Sequence, residues 1–150
     1  GVNYVYGTWS ALCAFNACGE DMQAPHIRRA VAWLKSRQRP DGGWGEDCAT
    51  YWTERRGESK ASTASQTAWA LLGLMAAGEV DSDAVRRGVA FLQNQPREGA
   101  RWAEDYWTGN GFPRVFYLKY HGYSAYFPLW ALARYSNLLR SNERRVRHGM

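Results

Sequence analysis

His26-Ile27-Arg28-Arg29-Ala30-Val31-Ala32-Trp33-Leu34 leads into Gln38-Arg39-Pro40-Asp41-Gly42-Gly43-Trp44-Gly45-Glu46-Asp47, and the pair of segments recurs further on. Arg86-Arg87-Gly88-Val89-Ala90-Phe91-Leu92 repeats the core of the first at an offset of 58. Gln95-Pro96-Arg97-Glu98-Gly99-Ala100-Arg101-Trp102-Ala103-Glu104-Asp105 repeats the second. Trp33 to Trp44 is a step of 11 residues, and so is Phe91 to Trp102. The loop Trp is therefore placed by the helix before it. In that helix Ile27, Ala30, Val31 and Leu34 share one face, with Arg28, Arg29 and Lys35 off it, which predicts amphipathic helices over about His26–Arg37 and Ser82–Asn94. Asp81-Ser82-Asp83 supplies the N-cap of the later one, and Pro40 and Pro96 lie just beyond the two helix ends.

A second kind of helix alternates with the first. Thr8-Trp9-Ser10-Ala11-Leu12-Cys13-Ala14 matches Thr67-Ala68-Trp69-Ala70-Leu71-Leu72-Gly73 at an offset of 59, and Trp130-Ala131-Leu132-Ala133 is a third echo. These stretches are small and apolar nearly all round, which predicts helices buried on most sides over Thr8–Cys18, Ser65–Ala77 and about Tyr126–Leu139. Gly19 and Gly78 serve as their C-terminal stops. Alternating β-branched residues are nearly absent, so the expected class is all-α, built from helical-hairpin repeats of an (α/α)6 toroid. A six-hairpin ring needs on the order of 360 residues. The 150 residues hold about two and a half units, so an open arc or a differently closed bundle is expected.

Composition narrows the function classes. Hydrophobic residues make up 45% of the chain and charged ones 22%, a globular balance. Aromatic residues are 15%, more than a core of this size needs, so some rings are expected to line a surface or cavity. No apolar run reaches the length of a transmembrane helix. Gly1 to Ser10 lacks a cationic start followed by an apolar stretch, so no signal peptide is expected there, and the Gly start points to a processed or truncated product. The net charge is +5, much of it at Arg140, Arg144, Arg145 and Arg147, where a solvated, frayed terminus is the expectation. Rings and basic residues are not interleaved, which argues against a nucleic-acid partner. Cys13, Cys18 and Cys48 form no disulfide framework, so a reducing compartment is expected. No metal spacing is present among His26, His121 and His148.

The loops hold the candidate chemistry. In Gln38-x-x-x-Gly42-x-Trp44, Gln can bond backbone groups at a neighbouring helix end and Trp can cover that end with its N–H. The main reading is a brace between hairpins, and a ligand-stacking ring is the alternative. The second loop is irregular, with Gln95 and Gly99 each one place early relative to Trp102. Glu46-Asp47 and Glu104-Asp105 resemble the carboxylate pair of a glycosidase, yet they recur at one place in both units, which favours helix capping or pairing with Arg. In Trp107-Thr108-Gly109-Asn110-Gly111-Phe112 and on to Tyr123, the rings of Phe112, Phe116, Tyr120 and Tyr123 recur at spacings of four, four and three, which a helix would place on one face. Core packing is one reading. The other is a wall of π faces able to stabilise a carbocation.

Gly-x-x-Tyr-x-Tyr-Gly-Thr (Gly1 to Thr8), the Gln38–Trp44 loop, Ser62-Thr63-Ala64-Ser65-Gln66-Thr67-Ala68-Trp69-Ala70 and Thr108-Gly109-Asn110-Gly111-Phe112-Pro113 together resemble the squalene–hopene cyclases, in order and over essentially the whole chain. The Gly-Phe-Pro loop and Tyr126–Tyr135 resemble the hopene-forming branch rather than the oxidosqualene cyclases, and only the C-terminal portion of such an enzyme. The resemblance implies residues 1–150 as an incomplete catalytic barrel. It implies squalene as substrate, no cofactor, and a carbocation cascade started by a protonated Asp of a D-x-D-D motif and ended as hopene or hopanol. It also implies monotopic attachment to the cytoplasmic side of a membrane, the rest of the cyclase chain as partner, and a homodimer as a further possibility. Phe112, Phe116, Leu118, Tyr120 and Tyr123 match the cavity-lining segment of the family, Phe112 and Phe116 as stabilisers of later ring cations, Tyr120 and Tyr123 as shapers of the pocket. Tyr6 matches a Tyr that hydrogen-bonds near the catalytic acid. Gln38, Gly42, Trp44, Gln95, Gly99 and Trp102 match the structural repeat. No D-x-D-D occurs in these residues, since Asp81-Ser82-Asp83-Ala84 departs from it, so the general acid is expected outside the chain and the isolated chain is expected to be inactive. A sugar-active toroid and a non-catalytic helical-repeat binding module stand as alternatives. A prenyltransferase-type zinc site is disfavoured, because no Asp, Cys and His set assembles around Cys48.

Overall fold

The computed structural model of the chain describes residues 3–55, 58, 61–112 and 115–147. Five helices carry it: α1 (Tyr4–Ala17), α2 (Pro25–Ser36), α3 (Ala64–Ala76), α4 (Asp83–Asn94) and α5 (Tyr123–Arg140). Two 3-10 turns, Cys48–Tyr51 and Thr53–Arg55, precede α3. Two small antiparallel hairpins follow α4: β1 (Arg97–Glu98) with β2 (Arg101–Trp102), and β3 (Gly109–Asn110) with β4 (Tyr117–Leu118).

Helices α1, α3 and α5 form an inner layer with α3 in the middle, while α2 and α4 lie outside it. Position in the layer decides burial. Every residue of α3 is buried, because it is packed on both flanks and covered from outside. Its neighbours α1 and α5, each with an inner-layer partner on one flank only, are buried on one side, not on most sides as expected for Thr8–Cys18 and Tyr126–Leu139. Gly73 makes the close approach possible, since a Cβ there would lie 3.1 Å from the Trp9 Cα. The amphipathic pattern of the outer helices holds, with Ile27, Val31 and Leu34 of α2 and Val85, Val89 and Leu92 of α4 turned inward.

The helix ends are set as their residue types require. Asn3, Thr63 and Ser82 accept from the N–H groups of Tyr6, Gln66 and Val85. Gly19 and Gly78 adopt positive φ, and the N–H groups of Glu20 and Glu79 donate to the carbonyls of Phe15 and Leu74, closing two Schellman ends. Because Asn3 caps α1, that helix starts at Tyr4 rather than at the expected Thr8. α5 starts at Tyr123 rather than near Tyr126.

Two further expectations are overturned. The stretch before Tyr123 is not helical. Gly109 and Gly111 admit a tight hairpin, and a Cβ on Gly109 would collide with the Tyr120 ring at 2.3 Å. Spacings of four therefore do not place Phe112, Phe116 and Tyr120 on a helix face. The terminus is not frayed through residue 147 either. Val146 is buried, Asn16 Nδ2 donates to its carbonyl at 3.0 Å, and Arg144 pairs with Asp81 at 2.6 Å.

Glu79, just after α3, joins the inner and outer layers through ion pairs with Arg28 and Lys35 of α2. Burial pushes its carboxyl up, but the Lys35 and Arg28 hydrogen bonds outweigh that and hold it below the ordinary range. Its contribution to stability is fully present above the ordinary carboxylate pKa and is lost as pH falls through the lowered folded value. The melting-temperature gap between wild type and Glu79→Gln should therefore narrow on acidification. A gap independent of pH would mean that the pairs do not couple the layers.

Candidate functional site

The Gln…Trp loops tie hairpins together. Trp44 is fully buried, and its Nε1–H donates to the Leu34 carbonyl in the last turn of α2 at 2.7 Å. Trp102 does the same to Leu92 in α4 at 2.8 Å. The Trp44 ring rests against α4, where a Cβ on Gly88 would meet it at 2.9 Å. Gln38 Nε2 donates to the Gly42 carbonyl and, across to α4, to the Ala84 carbonyl. Gly42 needs its glycine for a φ of +88 and for close approach to the Arg87 carbonyl. The irregular second loop has a local cause. Gly99, at φ +62, opens the two-residue turn of the β1–β2 hairpin, and the hairpin takes up the extra residue while Trp102 keeps its bond. Gln95 becomes the C-cap of α4. Both Trp rings bond a carbonyl of the preceding outer helix, and Gln38 bonds across to the next, which is the geometry of a brace.

The glutamate of each carboxylate pair is a helix cap. Glu46 is 3% exposed, and its two oxygens accept from the N–H groups of Tyr4 and Val5 at 2.9 Å each, at the start of α1. Glu104 takes the equivalent place at the start of α3, accepting from the Ser65 N–H and hydroxyl. Burial raises the pKa of both, opposed by these hydrogen bonds. Gln66 holds Glu46 by a two-way amide pairing, accepting from its N–H at 2.9 Å and donating to its carbonyl at 2.8 Å. Carboxylates committed to separate helix ends cannot flank one sugar, which removes the glycosidase reading.

The aromatic residues build a different kind of site. Asn3, Tyr6, Trp69, Thr108, Gly109, Tyr120 and Tyr123 line a cleft of about 200 Å³. Tyr6 meets the edge of Trp69 with ring centroids 4.9 Å apart, Tyr123 meets Trp69 at 5.6 Å, and Tyr120 stacks on Tyr123 at 4.8 Å. Phe127 and Trp9 back Trp69 from below. Burial, then the neighbouring Tyr6 and Tyr120, push the Tyr123 hydroxyl up, so it stays protonated. Among the described residues, none of the lining side chains is acidic or basic. The cleft offers π faces to a cation and no charged base to quench it.

Three expected site residues, Tyr6, Tyr120 and Tyr123, are therefore brought together. Phe112 and Phe116 pair edge-on at 5.6 Å at the hairpin tip but are 69% and 37% exposed, and Leu118 is also exposed. These three do not line the cleft. Pro113 and Arg114 of the Gly-Phe-Pro loop lie outside the described residues. Trp69, Asn3 and Thr108 are additions that sequence reasoning missed. Trp69 was visible as a ring in the repeated inner helix, but its pattern is that of core, and only the packing turns it toward Tyr6.

Residues 1–137 match the profile of the squalene–hopene cyclase C-terminal domain. The chain belongs to that family. It is 61% identical to the squalene–hopene cyclase of Zymomonas mobilis over 152 aligned positions, covering 100% of the chain and 23% of that protein. It is 62% identical to a probable squalene–hopene cyclase of Sinorhizobium fredii, covering 95% and 22%, and 58% identical to the squalene–hopene cyclase of Bradyrhizobium diazoefficiens, covering 100% and 23%. The chain thus spans less than a quarter of the length of these curated relatives. As a squalene–hopene cyclase C-terminal domain it has the helical layers expected from its repeats. Among the described residues, no helix is long and apolar enough to cross a membrane.

Proposed function

We propose that this domain forms one arc of the cavity wall of an enzyme that cyclises squalene through carbocations to hopene or hopanol. The observation that carries the reading is the Tyr6–Trp69–Tyr120–Tyr123 cleft, rich in π faces and, among the described residues, free of charged side chains, in a chain of this family. An alkene is protonated only by a strong, preorganised acid. No lining residue supplies one, so the acid comes from elsewhere in the complete polypeptide. Phe112 and Phe116 stabilise later cations once the rest of the barrel covers their exposed faces. Tyr120 and Tyr123 fix the folding of the polyene, and Tyr6 stands toward the acid. The apolar groove of about 440 Å³ between α1 and α2, lined by Gly7, Ala11, Phe15 and Ala30, receives an upstream hairpin of the same polypeptide. The complete enzyme sits monotopically on the cytoplasmic side of the membrane from which squalene enters.

The test replaces the matching segment of the Zymomonas mobilis cyclase with residues 1–150 and supplies squalene. Pentacyclic product is expected. Phe116→Ala in that chimera is expected to release prematurely terminated polycycles, read by gas chromatography. A folded chimera without turnover would overturn the assignment, and an unchanged product profile for Phe116→Ala would remove that residue's role.

A further inference from the structure

We infer that Asn3 is a positioning residue that locks the two walls of the aromatic cleft at a fixed separation. Its consequence for turnover rests on the function proposed above; its structural part does not.

Asn3 is 7% exposed, and its amide is engaged at both ends. Oδ1 accepts from the Tyr6 N–H at 3.1 Å, and Nδ2 donates to the Thr108 carbonyl at 3.1 Å, 105 residues away in sequence. One wall is the first turn of α1, which carries Tyr6. That wall is already held from its other side by Glu46 on the N–H groups of Tyr4 and Val5. The other wall is the hairpin that starts at Gly109, directly after Thr108, and leads through β4 to Tyr120. Its far strand is anchored away from the cleft, where the Tyr117 hydroxyl donates to the Asp47 carbonyl at 3.0 Å and lies 3.1 Å from Thr50 Oγ1. The Asn3–Thr108 bond is thus a tie on the cleft side, and Asn3 and Thr108 themselves line the cleft.

The chemistry requires an amide. A helix cap needs only an acceptor, which Ser and Asp provide as well as Asn. The bond to Thr108 needs a donor beside that acceptor: a carboxylate has none, and a Ser hydroxyl, though it can donate while it accepts, ends one bond beyond Cβ, short of where the Asn3 Nδ2 stands. A cleft of about 200 Å³ leaves little slack, and a displacement of about 1 Å at a reacting centre can cost on the order of 100-fold in rate.

The experiment places Asn3→Ser and Asn3→Asp in the chimera described above. Both keep the cap on α1 and break the tie to Thr108. Hydrogen–deuterium exchange should quicken across 108–118 while α1 keeps its protection. With squalene, kcat should fall by about tenfold or more at nearly constant KM, with more prematurely terminated product. Unchanged exchange at 108–118 in both variants overturns the clamp. Faster exchange with unchanged kcat and product ratio overturns the positioning role and leaves a purely structural bond. Should the parent chimera not turn over squalene, the proposed function falls, and the exchange comparison still decides the clamp.

Discussion

Trp44→Ala is expected to lower the stability of this domain by about 3–5 kcal/mol, a fall of roughly 6–20 °C in melting temperature for a chain of this size. The ring is fully buried and touches the outer helix of each hairpin. On α2 it satisfies the Leu34 carbonyl; on α4 it fills the space that the absent side chain of Gly88 leaves open. Its own backbone adds two more ties, the N–H donating to Thr67 Oγ1 and the carbonyl accepting from the Thr63 N–H, both at 2.9 Å. Removing the indole opens a cavity between hairpins that rigid helices cannot collapse into. Trp44→Phe, which keeps most of the volume and loses the N–H, should cost about 1 kcal/mol of hydrogen bond plus a smaller packing loss. Circular dichroism melts of the two variants separate the contributions. A normal melting temperature for Trp44→Ala together with lost turnover in the chimera would mean that the ring serves the substrate and not the frame.

Glu46→Gln is the second large effect, expected to cost about 1–3 kcal/mol. Both carboxylate oxygens accept from buried helix N–H groups, and the amide of Gln would turn one acceptor into a donor facing a donor. The pH dependence has a defined sign. Burial raises the Glu46 pKa above its ordinary value, so the folded protein binds the proton more readily than the unfolded chain does. The Glu46 contribution therefore grows as pH falls through the raised folded value toward the ordinary one, and shrinks as pH rises. This is opposite to Glu79. Melts of Glu46→Gln across that interval should show the gap to wild type widening toward acid. A gap that closes toward acid would mean that the capping carboxylate gains more from the helix end than burial takes away.

The candidate site was legible in part. Tyr6, Tyr120 and Tyr123 were named from a resemblance, and the fold gathers them in one cleft. Phe112, Phe116 and Leu118 were named on the same ground and stand outside it, on an exposed hairpin tip. The spacing argument for a helix failed there because ring recurrence alone does not specify period. The glycines at 109 and 111 favour close backbone approach, and that decided the local structure. Glu46 was legible as a helix cap but not which helix it caps, and Asn3 was not read at all, because each acts across a long stretch of chain.

What the amino-acid order determined by itself is the repeat: apolar and amphipathic helices in alternation, glycine stops at 19 and 78, the Ser82 cap, and a Trp set 11 residues after each outer-helix ring. All of these rest on interactions within a turn or two of helix, so the residues that make them are neighbours in sequence. Only the tertiary structure decided which inner helix is buried on every side, which helix end Glu46 caps, that the basic end folds back through Val146, and that Asn3 ties α1 to Thr108. Those outcomes depend on which surfaces meet. A carboxylate or an amide has the same local pattern whether its partner lies beside it or 105 residues away, and the packing of the three inner helices selects between them.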